Sequence, residues 1–500
     1  ASPTTASTSS AKSSGRRPGD PGPTTDPDVK VLLVNPPFDP EESVGESSSV
    51  RFVLNITPPL GLAYLGAVLE RAGYAVKIAD YTSRAPLPPL PELAADFSPD
   101  LVGITATTPS FGSARRAAVA VREALPKTLL VLGGAQATAC PRESLEKSGF
   151  DAVIVGEGEE TVLDLAAAAE AGAWTERRAE IAGIAYRDAE GVRVNERRPY
   201  IRDLDSLPLP ALHLLPPLET YHPTPASYRR LPVGIVMTSR GCPNRCTFCD
   251  RAIFGNATRF HSPNRVLEEI DRLVTRFGAR EIRFFDDTFT LHRQRTLEIC
   301  RGLREAGRRL PWTCLTAVRA VTPDLLKEMS RSGCWQVLFG LESGDDRMLR
   351  LLGKGNTVEL NRKAVRWAQE AGLEVRGDFI VGTPGETMES LENTLRFAIE
   401  SKLDYAHFNK FTPFPGTELF RRLHAEGYSF DFDRGCSILD HGALLYVPPG
   451  LDETDYRAWL DRAFKRFYLR PAHIARRLRA VRTWPQLRGQ VRGAASIIGL

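Results

Sequence analysis

The sequence has no long apolar run, no dominant charge of one sign and no paired-cysteine pattern. No stretch approaches the roughly 20 apolar residues that a membrane-spanning helix needs, so we expect no bilayer span. The formal net charge of +4 over 500 residues is small, and it gives no general reason to expect nucleic acid as a partner. The eight cysteines do not form a secreted disulfide framework, which indicates a reducing cytoplasm.

The first 28 residues lack apolar runs altogether. They are almost entirely Ser, Thr, Pro, Gly, Ala and Asp with a few basic residues, which argues against a signal peptide or a membrane anchor and favours disorder. The remaining length suggests two or three domains. We expect a disordered lead-in at 1–28, a first domain at 29–202, a linker at 203–228, a barrel at 229–425 and a mostly helical region at 426–500.

Two blocks of alternating strands and helices make up the ordered chain, so the fold class is α/β. The first block has predicted strands at 29–35, 75–80, 100–105, 128–132 and 151–155, and a hairpin at 184–197. This alternation predicts an open, Rossmann-like parallel sheet. The second block has predicted strands at 233–238, 281–285, 312–316, 335–341, 374–380 and 405–411. Six such units are too few for a closed eightfold barrel, so we predict a partial (β/α)6 barrel.

Three cysteines follow the first strand of the predicted barrel. Cys242, Cys246 and Cys249 have the spacing C-x3-C-x2-C. A [4Fe–4S] cluster takes four thiolates, so three ligands leave one iron open for another molecule. A zinc site would need a second ligand pair, which the neighbouring sequence lacks. We therefore predict that these cysteines hold a [4Fe–4S] cluster.

The cysteine segment resembles the radical S-adenosylmethionine (SAM) superfamily, since an aromatic residue, Phe248, precedes the last cysteine. Segments 339–343, 377–387 and 413–417 resemble further motifs of that superfamily, and the resemblance covers about residues 230–425. It implies that SAM binds the open iron. It also implies that one electron, supplied by a flavodoxin- or ferredoxin-type donor, cleaves SAM to a 5′-deoxyadenosyl radical. The radical would then abstract hydrogen from a small-molecule substrate.

The resemblance also implies roles for single residues. Phe248 would pack near the adenine, and Glu342, followed by Ser343, would hydrogen-bond SAM. Gly382 would line the adenine site.

Three charged residues of the barrel have two interpretations each. Arg376 is placed to meet the SAM carboxylate, or it forms a surface or interstrand ion pair. Asp286 and Asp287 end the second barrel strand. One of them binds the methionine amine or the substrate, or it caps the following helix.

The first block resembles the cobalamin (B12)-binding domain of a family that includes anaerobic Mg-protoporphyrin ester cyclases and B12-dependent radical SAM methyltransferases. Gly133, Gly134, Gly156 and Glu157 stand at strand ends in matching segments, and glycine there lets a ligand approach the backbone. Residues 1–200 contain no histidine, however, and Gln136 stands where many relatives have one. Either cobalamin binds with its lower face open or met by another group, or the domain binds no corrinoid.

The leading hypothesis is a cobalamin-dependent methyltransferase that acts on an unactivated carbon. One alternative is a radical dehydratase, decarboxylase or cyclase without corrinoid, and another is a cobalamin-binding sensor with a vestigial barrel. The Pro-, Gly-, Ala- and Arg-rich composition resembles that of high-GC actinobacterial proteins, which favours a substrate from secondary metabolism. From Arg462 onward the chain has nine arginines, one lysine and no acidic residue. This basic tail is interpreted as a solvated helical cap on the barrel, or as a surface for a membrane or an anionic substrate.

Overall fold

The structure is a computed structural model that describes residues 29–37, 55–224, 227–432 and 444–481, with residues 487, 488 and 491. The lead-in predicted at 1–28 and the end of the basic tail lie outside the described residues. The domain boundaries stay a prediction.

A seven-stranded sheet forms the first block. Its strands are β1 (Lys30–Asn35), β2 (Ala75–Asp80), β3 (Leu101–Thr105), β4 (Leu129–Gly133), β5 (Ala152–Ile154), β6 (Ile184–Asp188) and β7 (Gly191–Val194). Their order is β2-β1-β3-β4-β5-β6-β7, and β1 to β5 are parallel. The order reverses beside β1, and ligands of such sheets bind at the carboxyl ends of the strands next to the reversal. The predicted Rossmann-like sheet and its antiparallel hairpin are confirmed.

Helices cover both faces of this sheet. They are α1 (Leu60–Arg71), α2 (Leu90–Phe97), α3 (Phe111–Ala124), α4 (Ala135–Ala139), α5 (Pro141–Glu146), α6 (Glu159–Glu170) and α7 (Trp174–Arg177). Apolar side chains from the two faces of the sheet enter two separate core clusters. The strands are therefore buried on both sides, as parallel strands usually are.

Six parallel strands form the second block. They are β8 (Val233–Val236), β11 (Glu281–Phe284), β12 (Trp312–Thr316), β13 (Cys334–Glu342), β14 (Glu374–Val381) and β15 (Tyr405–Lys410). Two short strands after β8, β9 (Ser239–Arg240) and β10 (Arg259–Phe260), pair with each other. The six strands lie in chain order from β8 to β15. The predicted partial (β/α)6 barrel is confirmed.

The barrel helices begin where local side chains cap them. They are α8 (Pro263–Phe277), α9 (Arg293–Glu305), α10 (Pro323–Arg331), α11 (Asp346–Leu351), α12 (Val358–Glu370), α13 (Met388–Glu400) and α14 (Glu418–Ala425). Ser262 accepts a hydrogen bond from the Arg265 N–H at 3.2 Å, and Thr322 caps α10 in the same way. A proline at the first position of α8 and of α10 favours the same starts.

Alternate residues of each barrel strand face the lumen. In β14, Val375, Phe379 and Val381 belong to the apolar core under the helices. Because successive side chains of a strand point to opposite faces, Arg376 and Asp378 face the lumen.

The segment predicted as a linker packs against the first sheet. It contains short 3-10 turns at Leu204–Ser206, Leu212–Leu214 and Leu218–Thr220. The Tyr221 hydroxyl donates to Asp80 Oδ2 at 2.8 Å, so this connection is fixed to the carboxyl end of β2.

Two C-terminal helices, α15 (Glu453–Tyr468) and α16 (Pro471–Ala480), cover the outside of the barrel. Trp459 and Phe467 are fully buried, and Arg477 pairs with Glu374 at 2.8 Å and with Asp404 at 3.4 Å. The described part of the basic tail is therefore a helical cap that packs one face on the barrel and leaves the other exposed to solvent. No helix among the described residues combines the length and the apolar content that crossing a membrane requires.

Candidate functional site

The three predicted cluster cysteines lie in a loop that leaves the barrel after β8. Pairing of β9 with β10 holds the two ends of the loop together. Gly241 has a φ of +88°, and a Cβ there would lie 2.5 Å from the Ala257 carbonyl oxygen and 2.9 Å from that of Phe254. Only glycine fits this position, so the loop depends on it to fold back on itself.

Of the three thiols of this loop, that of Cys246 is buried and those of Cys242 and Cys249 are half-buried. Burial, followed by Asp287, Cys246 and Cys242, raises the pKa of the Cys249 thiol to about 12. Within the described parts of the chain, no three His, Cys, Asp or Glu side chains converge on a single-metal position. A [4Fe–4S] cluster binds each thiolate through a different iron, so three separated thiols on one loop fit it.

Glu342 ends β13 in a backbone conformation that is rare outside glycine. The register between β13 and β14 shifts between Gly340 and Glu342, and the φ of Glu342 is +62°. Such strain persists where the surrounding structure enforces it, and it concentrates at functional sites. Here Glu342 Oε1 accepts a hydrogen bond of 2.7 Å from Lys354 Nζ.

Lys354 joins Glu342 to the cysteine loop. Burial by itself lowers the pKa of Lys354, but Glu342 and Cys246 outweigh it, so the pKa lies above its ordinary value. Burial raises the pKa of Glu342, and the Lys354 ammonium opposes this rise. The ammonium also lies 5.9 Å from the centre of the Phe248 ring. Glu342, Lys354, Phe248 and the cysteine loop therefore form one site at the barrel mouth.

Two further predicted cofactor residues have structural partners. A Cβ at Gly382, whose φ is +79°, would overlap the Tyr456 ring of α15. Ser343 Oγ contacts Thr394 Oγ1 at 3.1 Å and accepts from the Asp345 N–H at 3.1 Å. These contacts explain both residues without a cofactor, so a SAM contact of Gly382 or Ser343 stays a prediction.

Asp286 does not lie where the cofactor prediction needs it. It is buried and accepts hydrogen bonds from Thr238 N at 3.2 Å, from Thr238 Oγ1 at 2.7 Å and from Ser239 Oγ. It therefore ties the end of β11 to the start of the cysteine loop. The helix-cap alternative is wrong, because the His292 side chain caps α9. Asp287 is exposed, and its charge raises the pKa of the Cys249 thiol. Of the two aspartates it is therefore better placed to contact a ligand.

Arg376 forms an ion pair within its own strand. Its Nε donates to Asp378 Oδ1 at 2.9 Å, and its Nη2 donates to Oδ2 at 3.3 Å. The ion-pair alternative thus describes this structure, although the partner lies on the same strand rather than on a neighbouring one. A contact between Arg376 and SAM stays a prediction.

Arg240, which immediately precedes Gly241, joins the cysteine loop to the first sheet. It donates to Glu157 Oε1 at 2.8 Å and to Glu159 Oε1 at 2.6 Å, and Arg259 pairs with Glu157 at 2.7 Å. The side chains of Arg240, Glu157 and Glu159 are at most 7% exposed. The predicted cofactor contact of Glu157 does not fit this arrangement, because two arginines of the barrel already occupy its carboxylate.

The carboxyl end of β4 is open to a ligand. A Cβ on Gly133 would meet nothing within 4 Å, whereas one on Gly134, whose φ is +95°, would lie 2.6 Å from the Ala106 carbonyl oxygen. Gln136 is buried, and its Oε1 has no hydrogen-bond partner among the described residues. Buried polar atoms are rarely left unpaired, so this amide is available to a bound group.

A cavity of about 800 Å³ adjoins this end of β4. Most of its lining comes from α3 and from residues 143–149, and the predicted glycines do not line it. Gln136 lines it beside β4, and Phe430 and Phe432 line it from the segment after the barrel. Gly156, the third predicted glycine, has a φ of +94°, and its Cβ would reach only Arg197, at 3.6 Å. An open backbone, an unpaired amide and a cavity of this size fit a large polar ligand such as a corrinoid.

The two neighbouring glycines are expected to respond differently to alanine. Gly134→Ala should lower the free energy of unfolding by about 1–3 kcal/mol, because its Cβ would meet a backbone oxygen in a left-handed conformation. Gly133→Ala should change it by less than about 0.5 kcal/mol. Urea unfolding followed by circular dichroism measures both. Equal losses in the two variants would contradict the assignment of Gly133 to an open edge.

Two family models match the chain. The radical SAM superfamily model matches residues 236–398, and the B12 binding domain model matches residues 49–166. An uncharacterized methyltransferase of Pyrococcus horikoshii is 37% identical over 447 residues, which cover 89% of this chain and 93% of the relative. This chain belongs to the radical SAM superfamily. It carries a B12-binding domain ahead of the radical SAM domain, as the sequence resemblance implies.

Two further similarities support the assignment. The anaerobic magnesium-protoporphyrin IX monomethyl ester cyclase of Cereibacter sphaeroides is 31% identical over 425 residues, which cover 83% of this chain and 68% of the cyclase. Among solved structures, the radical SAM methyltransferase TsrM from Kitasatospora setae, with cobalamin and a [4Fe–4S] cluster bound, gives a TM-score of 0.66. The match has 20% identity and covers 87% of this chain and 90% of TsrM, so it shows the shared fold.

The sequence analysis missed Lys354 and Arg240. Lys354 lies between Gly353 and Gly355 in the loop that follows α11. A lysine between two glycines in a loop is a signal for a ligand-facing position. Arg240 has a weaker signal, since it lies beside the cysteine motif but its carboxylate partners lie more than 80 residues away.

Proposed function

We propose that this protein is a cobalamin-dependent radical SAM methyltransferase that acts on an unactivated carbon of a small molecule. The contact between Arg240 and Glu157 and Glu159 carries the proposal. Ligands of open α/β sheets and of barrels bind at the carboxyl ends of the strands. The contact brings those two ends together, which supports a cluster site and a corrinoid site that face each other. Methyl transfer between bound groups requires this proximity.

The barrel residues at the mouth have complementary roles in this function. Cys242, Cys246 and Cys249 would hold the cluster, which supplies, when bound, the single electron that cleaves SAM. Glu342 is placed to accept a hydrogen bond from the SAM amine, and Lys354 to pair with the SAM carboxylate. Each of the two cations has a carboxylate partner, Glu342 for Lys354 and Asp378 for Arg376. We favour Lys354 for the SAM carboxylate because the cluster cysteines act on Lys354. The enzyme also needs an external one-electron donor.

The first sheet would hold the corrinoid, which supplies a carrier for the methyl group. Gly133 leaves the backbone accessible, and Gln136 offers an unpaired amide oxygen beside the cavity. Gln136 would contact the corrinoid in place of a histidine, since residues 1–200 contain none.

The experiment is anaerobic reconstitution of the full chain with iron, sulfide and hydroxocobalamin, followed by reductant and SAM. We expect 5′-deoxyadenosine in the product and about one bound corrinoid per chain, read from the visible spectrum. Absence of deoxyadenosine from protein with a fully loaded cluster, with candidate substrates present, would count against radical SAM chemistry.

A second candidate function is radical dehydration, decarboxylation or cyclisation without methyl transfer. The missing histidine favours it, as does the similarity to the cyclase of Cereibacter sphaeroides. In the reconstitution experiment, deoxyadenosine without bound corrinoid would select this function.

Lys354→Gln is expected to weaken SAM binding about tenfold or more. The change removes a charge-assisted hydrogen bond from a buried site, which typically costs about 1.5–3 kcal/mol. Titration of the cluster-loaded protein with SAM, followed by the electron paramagnetic resonance of the reduced cluster, measures the dissociation constant. Lys363→Gln is the matched control, because Lys363 is 46% exposed on α12. Equal SAM affinity in the two variants would contradict the role of Lys354.

A further inference from the structure

The barrel lumen contains a group of charged residues that the cluster and SAM do not use. Arg283 lies on β11, Arg376 and Asp378 lie on β14, and His407 lies on β15. Two strands, β12 and β13, separate β11 from β14 in the sheet. The electrostatic effect of Arg376 on Arg283 therefore acts across the lumen rather than along the wall.

Among the described residues, Arg283 makes its hydrogen bonds to neutral groups, and the carboxyls of Asp378 and Glu281 act on it only from a distance. Its Nη1 donates to Asn55 Oδ1 at 3.1 Å and to Ser227 Oγ at 3.2 Å, and both acceptors are neutral. Across the described residues it forms no ion pair, whereas Arg376 has two hydrogen bonds to Asp378. Burial, followed by Arg376, lowers the pKa of Arg283 to about 10, so the guanidinium is still charged at neutral pH.

Arg283, Arg376, Asp378 and His407 together carry one excess positive charge, and burial raises the pKa of Glu281, the further carboxyl that acts on Arg283, to about 7. Burial, followed by Arg376, lowers the pKa of His407 to about 3, so this histidine is neutral. Arg283 and Arg376 then contribute two positive charges against the single negative charge of Asp378. A shielded cation without a counter-ion is costly, and an incoming anion removes that cost. The planar guanidinium presents two parallel N–H donors that match a carboxylate or a phosphate.

We propose that Arg283, with Arg376 across the lumen from it, binds an oxyanion group of the substrate, either a carboxylate or a phosphate or phosphonate. The inference rests on the proposed function, since it takes the lumen as the place where the substrate reacts. Arg283 precedes Asp287 by four residues, so about 13 Å of extended chain separates it from the end of the strand near Cys249. The substrate anion lies deep in the lumen, and the reacting carbon lies toward the mouth.

The test is calorimetric titration of the reconstituted protein with three small probes. Methylphosphonate and propionate represent the two kinds of oxyanion, and propionamide is the neutral counterpart of propionate. The proteins are wild type, Arg283→Gln, Arg283→Lys and Arg293→Gln. Arg293 is an exposed arginine of α9 and provides the matched control. Iron content and circular dichroism establish that each variant is folded.

We expect at least one oxyanion to bind wild type and Arg293→Gln with equal affinity, and propionamide not to bind. Arg283→Gln should weaken oxyanion binding at least about tenfold, and Arg283→Lys should weaken it less, because it keeps the charge but loses the planar donors. The stronger of the two oxyanions identifies the substrate group.

Binding that is unchanged in Arg283→Gln would overturn the proposal, as would the absence of oxyanion binding to wild type. The proposed function is tested separately by deoxyadenosine and corrinoid in wild type and Arg293→Gln. Arg283-dependent binding without deoxyadenosine would leave the anion site standing and reject the methyltransferase. Deoxyadenosine and bound corrinoid without Arg283-dependent oxyanion binding would leave the methyltransferase standing and reject the anion site.

Discussion

Replacing Cys249 by alanine is expected to abolish 5′-deoxyadenosine formation. The variant would leave only two thiolates on the loop, so two irons of the cluster, rather than one, would lack a protein ligand. The fall in deoxyadenosine yield should exceed the roughly 10–100-fold loss of activity that follows mutation of residues which only support a metal's ligands. Iron content, the spectrum of the reduced cluster and deoxyadenosine yield after anaerobic reconstitution measure it.

Cys334→Ala is the matched control for this loss. Cys334 is buried at the start of β13, away from the mouth, and its thiol donates to the Gln336 carbonyl oxygen. We expect full cluster loading and unchanged deoxyadenosine formation, with a cost in stability of about 1 kcal/mol. Normal iron content and activity in Cys249→Ala would remove Cys249 from the cluster.

Replacing Arg240 by methionine is expected to destabilise the folded chain by about 3–5 kcal/mol. The change leaves the buried carboxylates of Glu157 and Glu159 with Arg259 as the remaining partner, and removal of one member of a buried ion-pair group has this magnitude. Because the pair spans the two sheets, the contact between the first sheet and the cysteine loop should open first. Urea unfolding and limited proteolysis of the full chain measure the two effects.

A second substitution tests whether the loss comes from the unpaired carboxylate. In Arg240→Met the carboxylate of Glu157 keeps Arg259, whereas that of Glu159 loses its partner. Adding Glu159→Gln removes that unpaired charge, so the double variant should be more stable than the single variant. Arg193→Met is the surface control, since Arg193 is 49% exposed in its pair with Asp188 and its loss should leave the unfolding midpoint unchanged. A double variant that is less stable than Arg240→Met would contradict this account.

The parts of the fold that the sequence predicts depend on local patterns. The strand at 312–316 is found with the predicted bounds, because the alternation of short apolar runs and amphipathic segments reflects burial on both faces of each sheet. Ser262 and Thr322 begin their helices through bonds to N–H groups three residues later. The cysteine motif is equally local, since all three thiols lie on one short loop.

The errors and omissions concern contacts between distant segments. Glu157 follows a glycine at a strand end, which is typical of a ligand site, but its partners are Arg240 and Arg259. Asp286 ends a strand in the same way, yet hydrogen bonds from Thr238 and Ser239 engage its carboxylate. In both cases the nearby sequence indicates a polar group at a strand end and does not indicate what it faces.

The sequence by itself therefore determined the two-part α/β architecture and the cysteine loop, since periodicity and short spacing express local geometry and burial. The tertiary structure alone decided which charged groups meet. It placed Lys354 against Glu342, joined Arg240 to the first sheet and, among the described residues, gave Arg283 neutral hydrogen-bond partners in the lumen. The physical reason is that ion pairs form wherever folding brings opposite charges together, and the separation of the partners along the chain leaves no pattern in the sequence around either one.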